Sequence, residues 1–263
     1  MDILQLLPTL YQKLAVYILV FTRIGALLTT FTLFKREVVT TRIIISLTAI
    51  LSFYVVLTYH GKEVTYDVLS IPLLIQMLFQ SFIGLMSAFI LNIIFEIFVA
   101  VGQITSSQIG LSMASLIDHR YGYITSLTHF YVITASIIFL FLNGHILAIQ
   151  AIVNSFDVLP LYSELLPATL MSDVLHYAGI IFSGAVMLSI TIMTVILLTN
   201  ITLAVMTKFA PQFNLFSIGI NMQVVIGLIC VYATFELFFD NSDELITQGI
   251  SFLQHSYDKM KPL

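Results

Sequence analysis

Few side chains in this sequence are of types that do chemistry, and those few are scattered. The histidines are His60, His119, His129, His145, His176 and His255, and none begins the His-Glu-x-x-His pattern that puts two imidazoles on one helix face. The single cysteine, Cys230, excludes an internal disulfide and supplies neither a zinc cluster nor a redox pair. Within its apolar run it reads as a small buried residue. No Gly-rich phosphate loop, no Gly-x-Ser-x-Gly elbow and no carboxylate pair at acid/base spacing is present. The sequence implies no enzymatic activity, no cofactor and no metal.

Three charged residues fall within or at the ends of apolar runs: Arg23, Glu96 and Glu236. An ionisable group in lipid costs roughly 2.5–3.5 kcal/mol on insertion scales, so each requires a reason. One reading is a proton or ion path, or a substrate contact. The other is structural: an interhelical or intersubunit ion pair, or snorkelling to an interface. Glu96 and Glu236 lie near the ends of their runs, where snorkelling is easy. Arg23 lies deeper, and for it a partner on another subunit is expected.

The elements that must position these residues are membrane helices. Of 263 residues, 59% are hydrophobic and 9% charged, with a mean hydropathy of +1.03, whereas a soluble domain carries roughly 25% charged residues. Six runs approach the ~20 helical residues that span hydrocarbon: Leu14–Phe34, Ile43–Tyr59, Ile71–Val101, Ile124–Val153, Val174–Met206 and Phe213–Phe239. None alternates with period two, which excludes a transmembrane barrel and leaves helices. The expected fold is all-α and polytopic, one membrane-embedded domain over residues 1–263.

The third, fourth and fifth runs are too long for one perpendicular span, so they tilt, break or leave the bilayer. Asn143-Gly144-His145 is placed to break the fourth. Gly84 with Ala88, and Gly179 with Ser183, have the small-x-x-x-small spacing of close helix packing. The first run has no cleavage site and reads as a retained segment. Lys35, Arg36 and Arg42 place the first loop in the cytoplasm, although Lys259 and Lys261 argue the other way. A net charge of −4 gives no basic patch for nucleic acid.

The stretch from Gly102 to Gly122 is the least ordinary. It is too polar for a lipid-facing helix and, at Ile109, Leu111, Met113, Leu116 and Ile117, too apolar for a solvated loop. Irregular backbone at membrane depth survives where it is buried in protein or lines an aqueous cavity, and apolar side chains there can gate by dewetting. A connecting loop packed on its own helices is the alternative.

At this stretch the sequence resembles a known family. S-Q-I-G-L-S-M-A-S-L-I-D at Ser107–Asp118 is similar to G-L-Q-M-G-L-S-F-A-T-F-V-D-P of FliR-type proteins. F-L-N-G-H at Phe141–His145 resembles their F-x-N-G-H, with Leu159-Pro160 following at similar spacing. N-I-T-L-A-V-M-T-K-F-A-P-Q at Asn200–Gln212 is similar to their N-L-A-L-G-L-L-N-R-x-A-P-Q, and Ile218-Gly219, Arg23 and Arg42 also match. The departures are Thr32 and Thr40 where the family has prolines, His119 for the proline after the aspartate, and Gln103 for a glutamate. Met113 and Leu116 stand where the family's plug loop has aromatics.

The resemblance implies a subunit of the flagellar type III protein export gate in the bacterial inner membrane, at the flagellar basal body. It implies a hetero-oligomer with FliP- and FliQ-type subunits, FlhB-type protein at the entrance, and unfolded flagellar export substrates as cargo. Gly110, Leu111, Met113, Leu116 and Ile117 would form the pore plug: Met113 and Leu116 supply apolar bulk, and Gly110 supplies freedom to move. Asn143, Gly144, His145, Pro211 and Gly219 would break and pack the helices. The alternatives are the homologous injectisome subunit and, further off, a secondary transporter, for which interrupted helices in repeated halves would be the sign.

Overall fold

The structure, a computed structural model, describes residues 3–34, 39–58, 70–111, 125–161, 168–209 and 215–259. Among the described residues there are nine α-helices and no strand. They are α1 (Ile3–Thr30), α2 (Thr41–Thr58), α3 (Ile71–Ile109), α4 (Ser126–Phe141), α5 (Gly144–Val158), α6 (Ala168–Ala178), α7 (Ile180–Phe209), α8 (Leu215–Ala233) and α9 (Phe235–Asp258). Four stretches are long and apolar enough to cross a membrane: Tyr11–Thr30, Thr41–Thr58, Ile71–Ile109 and Ser172–Phe209. The pair α4 and α5 bends by 67°, and the pair formed by Asn221–Ala233 and α9 bends by 59°; counting each as one span gives six.

Hydroxyl-bearing residues do not break these helices, because their side chains bond inside them. Thr22, Ser52, Ser87, Thr134, Ser189, Thr194, Thr199, Thr202 and Thr207 each donate to the carbonyl four residues earlier. In lipid that disposes of a donor which would otherwise stay unsatisfied.

The chain divides into two compact units. The first holds residues 1–92, 144–175 and 249–263. In it α1 packs on α2, with the Tyr17 hydroxyl donating to the Ala49 carbonyl at 3.4 Å. Gly84 of α3 meets α1 so closely that an added Cβ would lie 2.9 Å from the Ala26 Cβ and closer still to the Arg23 carbonyl. Asn92 closes the end of α1: its amide nitrogen donates to the Thr30 carbonyl at 3.0 Å, and its oxygen accepts from the Thr32 N–H at 2.8 Å. Both backbone groups are orphans of a helix terminus.

The second unit holds residues 93–143 and 176–248. Its α3 segment is buried at Ile93, Ile94, Phe95, Ile97, Phe98 and Val101, with Phe95 stacked near Phe139 at 5.4 Å and Phe98 edge-on to Phe238 at 5.9 Å. A Cβ on Gly102 would sit 2.9 Å from the Thr128 Cβ, so α3 and α4 touch through that glycine. Gly184 lies against Ile97, with 3.1 Å from its would-be Cβ to Ile97 Cγ2. Gly179 and Ser183 are exposed on this chain, and Gly179 marks the joint between α6 and α7.

Two sequence expectations change. The third run continues to Ile109, because Gly102–Ile109, expected to be irregular, is helical. Residues 240–258 were expected as a polar tail and form most of α9, whose buried residues are Phe238, Ser242, Leu245, Ile246, Ile250, Leu253 and Tyr257. Those positions recur at helical spacing, so the helix has one buried face despite Asp240, Asp243 and Glu244.

Candidate functional site

Arg23 is the most enclosed charge of the first unit, with no exposed surface. Its Nε donates to Gln80 Oε1 at 2.6 Å. One terminal nitrogen donates to both the carbonyl and the hydroxyl of Ser155 at 3.1 Å, and the other to the Leu159 carbonyl at 2.9 Å. The guanidinium carbon stands 4.2 Å from the centroid of the Phe156 ring. Gln80 in turn donates to the Leu161 carbonyl at 3.2 Å, and beside the cluster the Ser87 and Tyr257 hydroxyls meet at 2.5 Å.

The sequence pattern explains the need. The C-terminal carbonyls of α5 have no partner within their helix, and the chain there runs on to Leu159 and Leu161, both buried. A five-donor fork satisfies several such oxygens at once where a lysine could not. Arg23 therefore takes its hydrogen bonds inside this chain, where a partner on another subunit had been expected. Its role here is to fasten α1, α3 and the end of α5 together.

In the second unit, α3 ends at the first residues expected to form the plug. Gly110 has φ 90°, its N–H donates to the Ser107 carbonyl at 3.2 Å, and the Leu111 N–H donates to the Ser106 carbonyl at 3.0 Å. That pair of bonds with a left-handed glycine is the Schellman helix stop. Gly110 thus fixes the backbone at this point instead of loosening it, because only glycine takes that φ without strain. Met113, Leu116 and Ile117 lie outside the described residues, and so does Pro211.

The stop is held against α8. The Gln223 side-chain nitrogen donates to the Gln108 carbonyl. Gly227 faces Ile109 so closely that its would-be Cβ would stand 2.7 Å from Ile109 Cδ1. Gly219, also on α8, is buried but less constrained: its would-be Cβ lies 3.5 Å from Leu203 Cδ1, an ordinary contact.

The bend between α4 and α5 falls at Asn143, the one described non-glycine residue with a left-handed backbone, φ 56°. Asparagine is among the few side chains that tolerate this region. Gly144 is buried behind it, and the Nδ1 of half-buried His145 is shielded from solvent. Glu96 and Glu236 are both exposed on this chain. The described residues hold one salt bridge, Lys259 to Asp173 at 2.9 Å, and neither glutamate takes part in it.

Sequence reasoning singled out Arg23 and missed what it holds. Gln80 and Ser155 lie 57 and 132 residues away, beyond any spacing rule. Gly102, Gly227 and Gln223 were missed as well. A signal existed for the glycines, since each interrupts a run of larger apolar residues, but such glycines are common in membrane helices.

With this geometry in place, comparison with known proteins locates the chain. Residues 14–249 match the family described as bacterial export proteins, family 1. The chain is 28% identical over 217 residues to the flagellar biosynthetic protein FliR of Buchnera aphidicola subsp. Baizongia pistaciae, covering 82% of this chain and 84% of that one. It is 24% identical over 233 residues to the Escherichia coli K12 protein of the same name, covering 88% of each. To the surface presentation of antigens protein SpaR of Shigella flexneri it is 32% identical over 151 residues, 57% of this chain and 58% of the relative. The family match runs from the first membrane helix into the C-terminal amphipathic one, and the chain belongs to the bacterial export proteins, family 1.

Proposed function

We propose that this chain is the FliR-type subunit of the flagellar type III protein export gate. The observation that carries this reading is the alignment with FliR proteins over more than four-fifths of both partners. The SpaR likeness is higher in identity but covers 57% of the chain, and it favours the injectisome as the second reading. The apolar spanning helices support a place in the bacterial inner membrane, at the basal body.

The partners are FliP-, FliQ- and FlhB-type proteins, and the cargo is unfolded export substrate. The chain makes and breaks no covalent bond; its work is to shape a path and to close it. The segment following the Gly110 stop closes the path, with Met113, Leu116 and Ile117 as apolar bulk. A rigid stop at its root supports that role, because a seal needs one anchored end. Apolar side chains then exclude water from the constriction, and ions with it. In-frame deletion of the gene in its native host tests the function. Loss of swimming and of flagellin in the medium is expected; intact flagellar export with loss of injectisome effectors would move the assignment to the second reading.

A further inference from the structure

The accessible face of α3 changes character part-way along the helix. Its exposed residues up to Phe89 are Ile71, Pro72, Leu74, Ile75, Leu78, Phe82, Leu85 and Phe89, all apolar. Beyond Phe89 the exposed residues are Glu96, Gln103 and Ser107, all polar. At about 100° per residue, Leu78, Leu85, Phe89, Glu96, Gln103 and Ser107 fall within roughly 40° of one another. They form one face, apolar in its first half and polar in its second, while the flanking residues Phe95, Ile97, Phe98, Val101 and Ile109 are buried at 1% exposure or less.

Length gives the switch a meaning. The helix has 39 residues, roughly 58 Å at 1.5 Å per residue, against a hydrocarbon core of ~30 Å. Ile71 to Phe89 covers roughly 28 Å, one hydrocarbon thickness. The apolar half therefore matches lipid in length, and the polar half cannot face lipid, where an exposed carboxylate and amide would go unsatisfied. Glu96 is also no longer near a helix end: 13 residues, roughly 20 Å, separate it from Ile109, too far to snorkel past the stop.

We infer that Glu96, Gln103 and Ser107 line a water-filled path that runs along α3 to the helix stop at Gly110, and that Glu96 is this face's fixed negative charge, favouring cations over anions. The inference rests on the export-gate reading and deepens it. Such a face suits both water and an extended polypeptide: one carboxylate, one amide and one hydroxyl offer hydrogen bonds along one line, without apolar side chains on which a passing chain would stick.

Cysteine accessibility in assembled gates tests this. Cys230 is replaced by Ala, and Glu96→Cys, Gln103→Cys, Ser107→Cys, Leu78→Cys and Leu85→Cys are each introduced singly in native cells. Membrane-impermeant methanethiosulfonates, one a trimethylammonium cation and one a sulfonate anion, are applied to membranes at low ionic strength, where charge acts over tens of ångströms. The thiols at 96, 103 and 107 are expected to react at least tenfold faster than those at 78 and 85. At 103 the cation is expected to outpace the anion several-fold, and Glu96→Gln to abolish that preference. Labelling at 103 is expected to block flagellin export.

Positions 103 and 107 reacting as slowly as 78 and 85 would place the polar face against a partner helix and overturn the inference. Fast labelling that leaves export unchanged would place the face in bulk water and overturn it too. Failure of the gate reading shows separately, as export that survives deletion of the gene.

Discussion

Replacing Arg23 by methionine should cost the folded chain about 3–4 kcal/mol, as two estimates bracket. Interhelical hydrogen bonds in membranes average about 0.6 kcal/mol, so the bonds to Gln80, Ser155 and Leu159 alone would give about 2. The site is fully buried, however, and removing the donor strands acceptors at about 1–3 kcal/mol each. The Ser155 carbonyl keeps the Leu159 N–H at 2.8 Å, so Gln80 Oε1 and the Leu159 carbonyl are the ones stranded. Methionine fills most of the stem volume, which keeps the cavity contribution small. The assay is SDS-titrated unfolding of the purified chain in mild detergent, followed by circular dichroism. Gln80→Leu removes one stranded acceptor, so the double variant should be less destabilised than the sum of the singles by about 1–2 kcal/mol. A loss below about 1 kcal/mol for Arg23→Met, with no coupling to Gln80, would refute the reasoning and leave the guanidinium without a structural role.

Other outcomes follow from the same contacts. Gly227→Ala should destabilise by about 1–3 kcal/mol through overpacking on Ile109, and Ile109→Ala in the same chain should recover part of it in the same titration. Gly110→Ala should cost about 1–2 kcal/mol because its φ is 90°. Asn143→Val should cost a similar amount and Asn143→Gly far less, read as shifts in thermal unfolding. Met113→Gly combined with Leu116→Gly should assemble yet leak ions, measured as conductance in cells expressing the complete gate; assembly without added leak would remove the plug assignment.

Hydropathy made the membrane class, the six apolar segments and the interruption at Asn143-Gly144 legible, because each is a local property of the chain. It hid α9, where Asp240, Asp243 and Glu244 lower the average while Phe238, Leu245, Ile246, Ile250 and Leu253 keep the helical period. A window average discards the phase that defines a buried face. The same averaging made the end of α3 look irregular: Thr105, Ser106 and Ser107 read as polar breaks, although they sit within a continuous helix. Gly110 was noticed for the wrong property, since sequence suggests flexibility and the bonds to Ser106 and Ser107 impose a stop. The Arg23 cluster was half visible, one charge whose partners come from segments that only tertiary folding brings together.

Purification of the tagged chain from native membranes in mild detergent, with mass spectrometry of what accompanies it, tests the export-gate assignment most directly. The account predicts recovery of FliP- and FliQ-type proteins with the chain as a stable complex. Recovery of the chain alone, from cells in which those proteins are expressed, would contradict it.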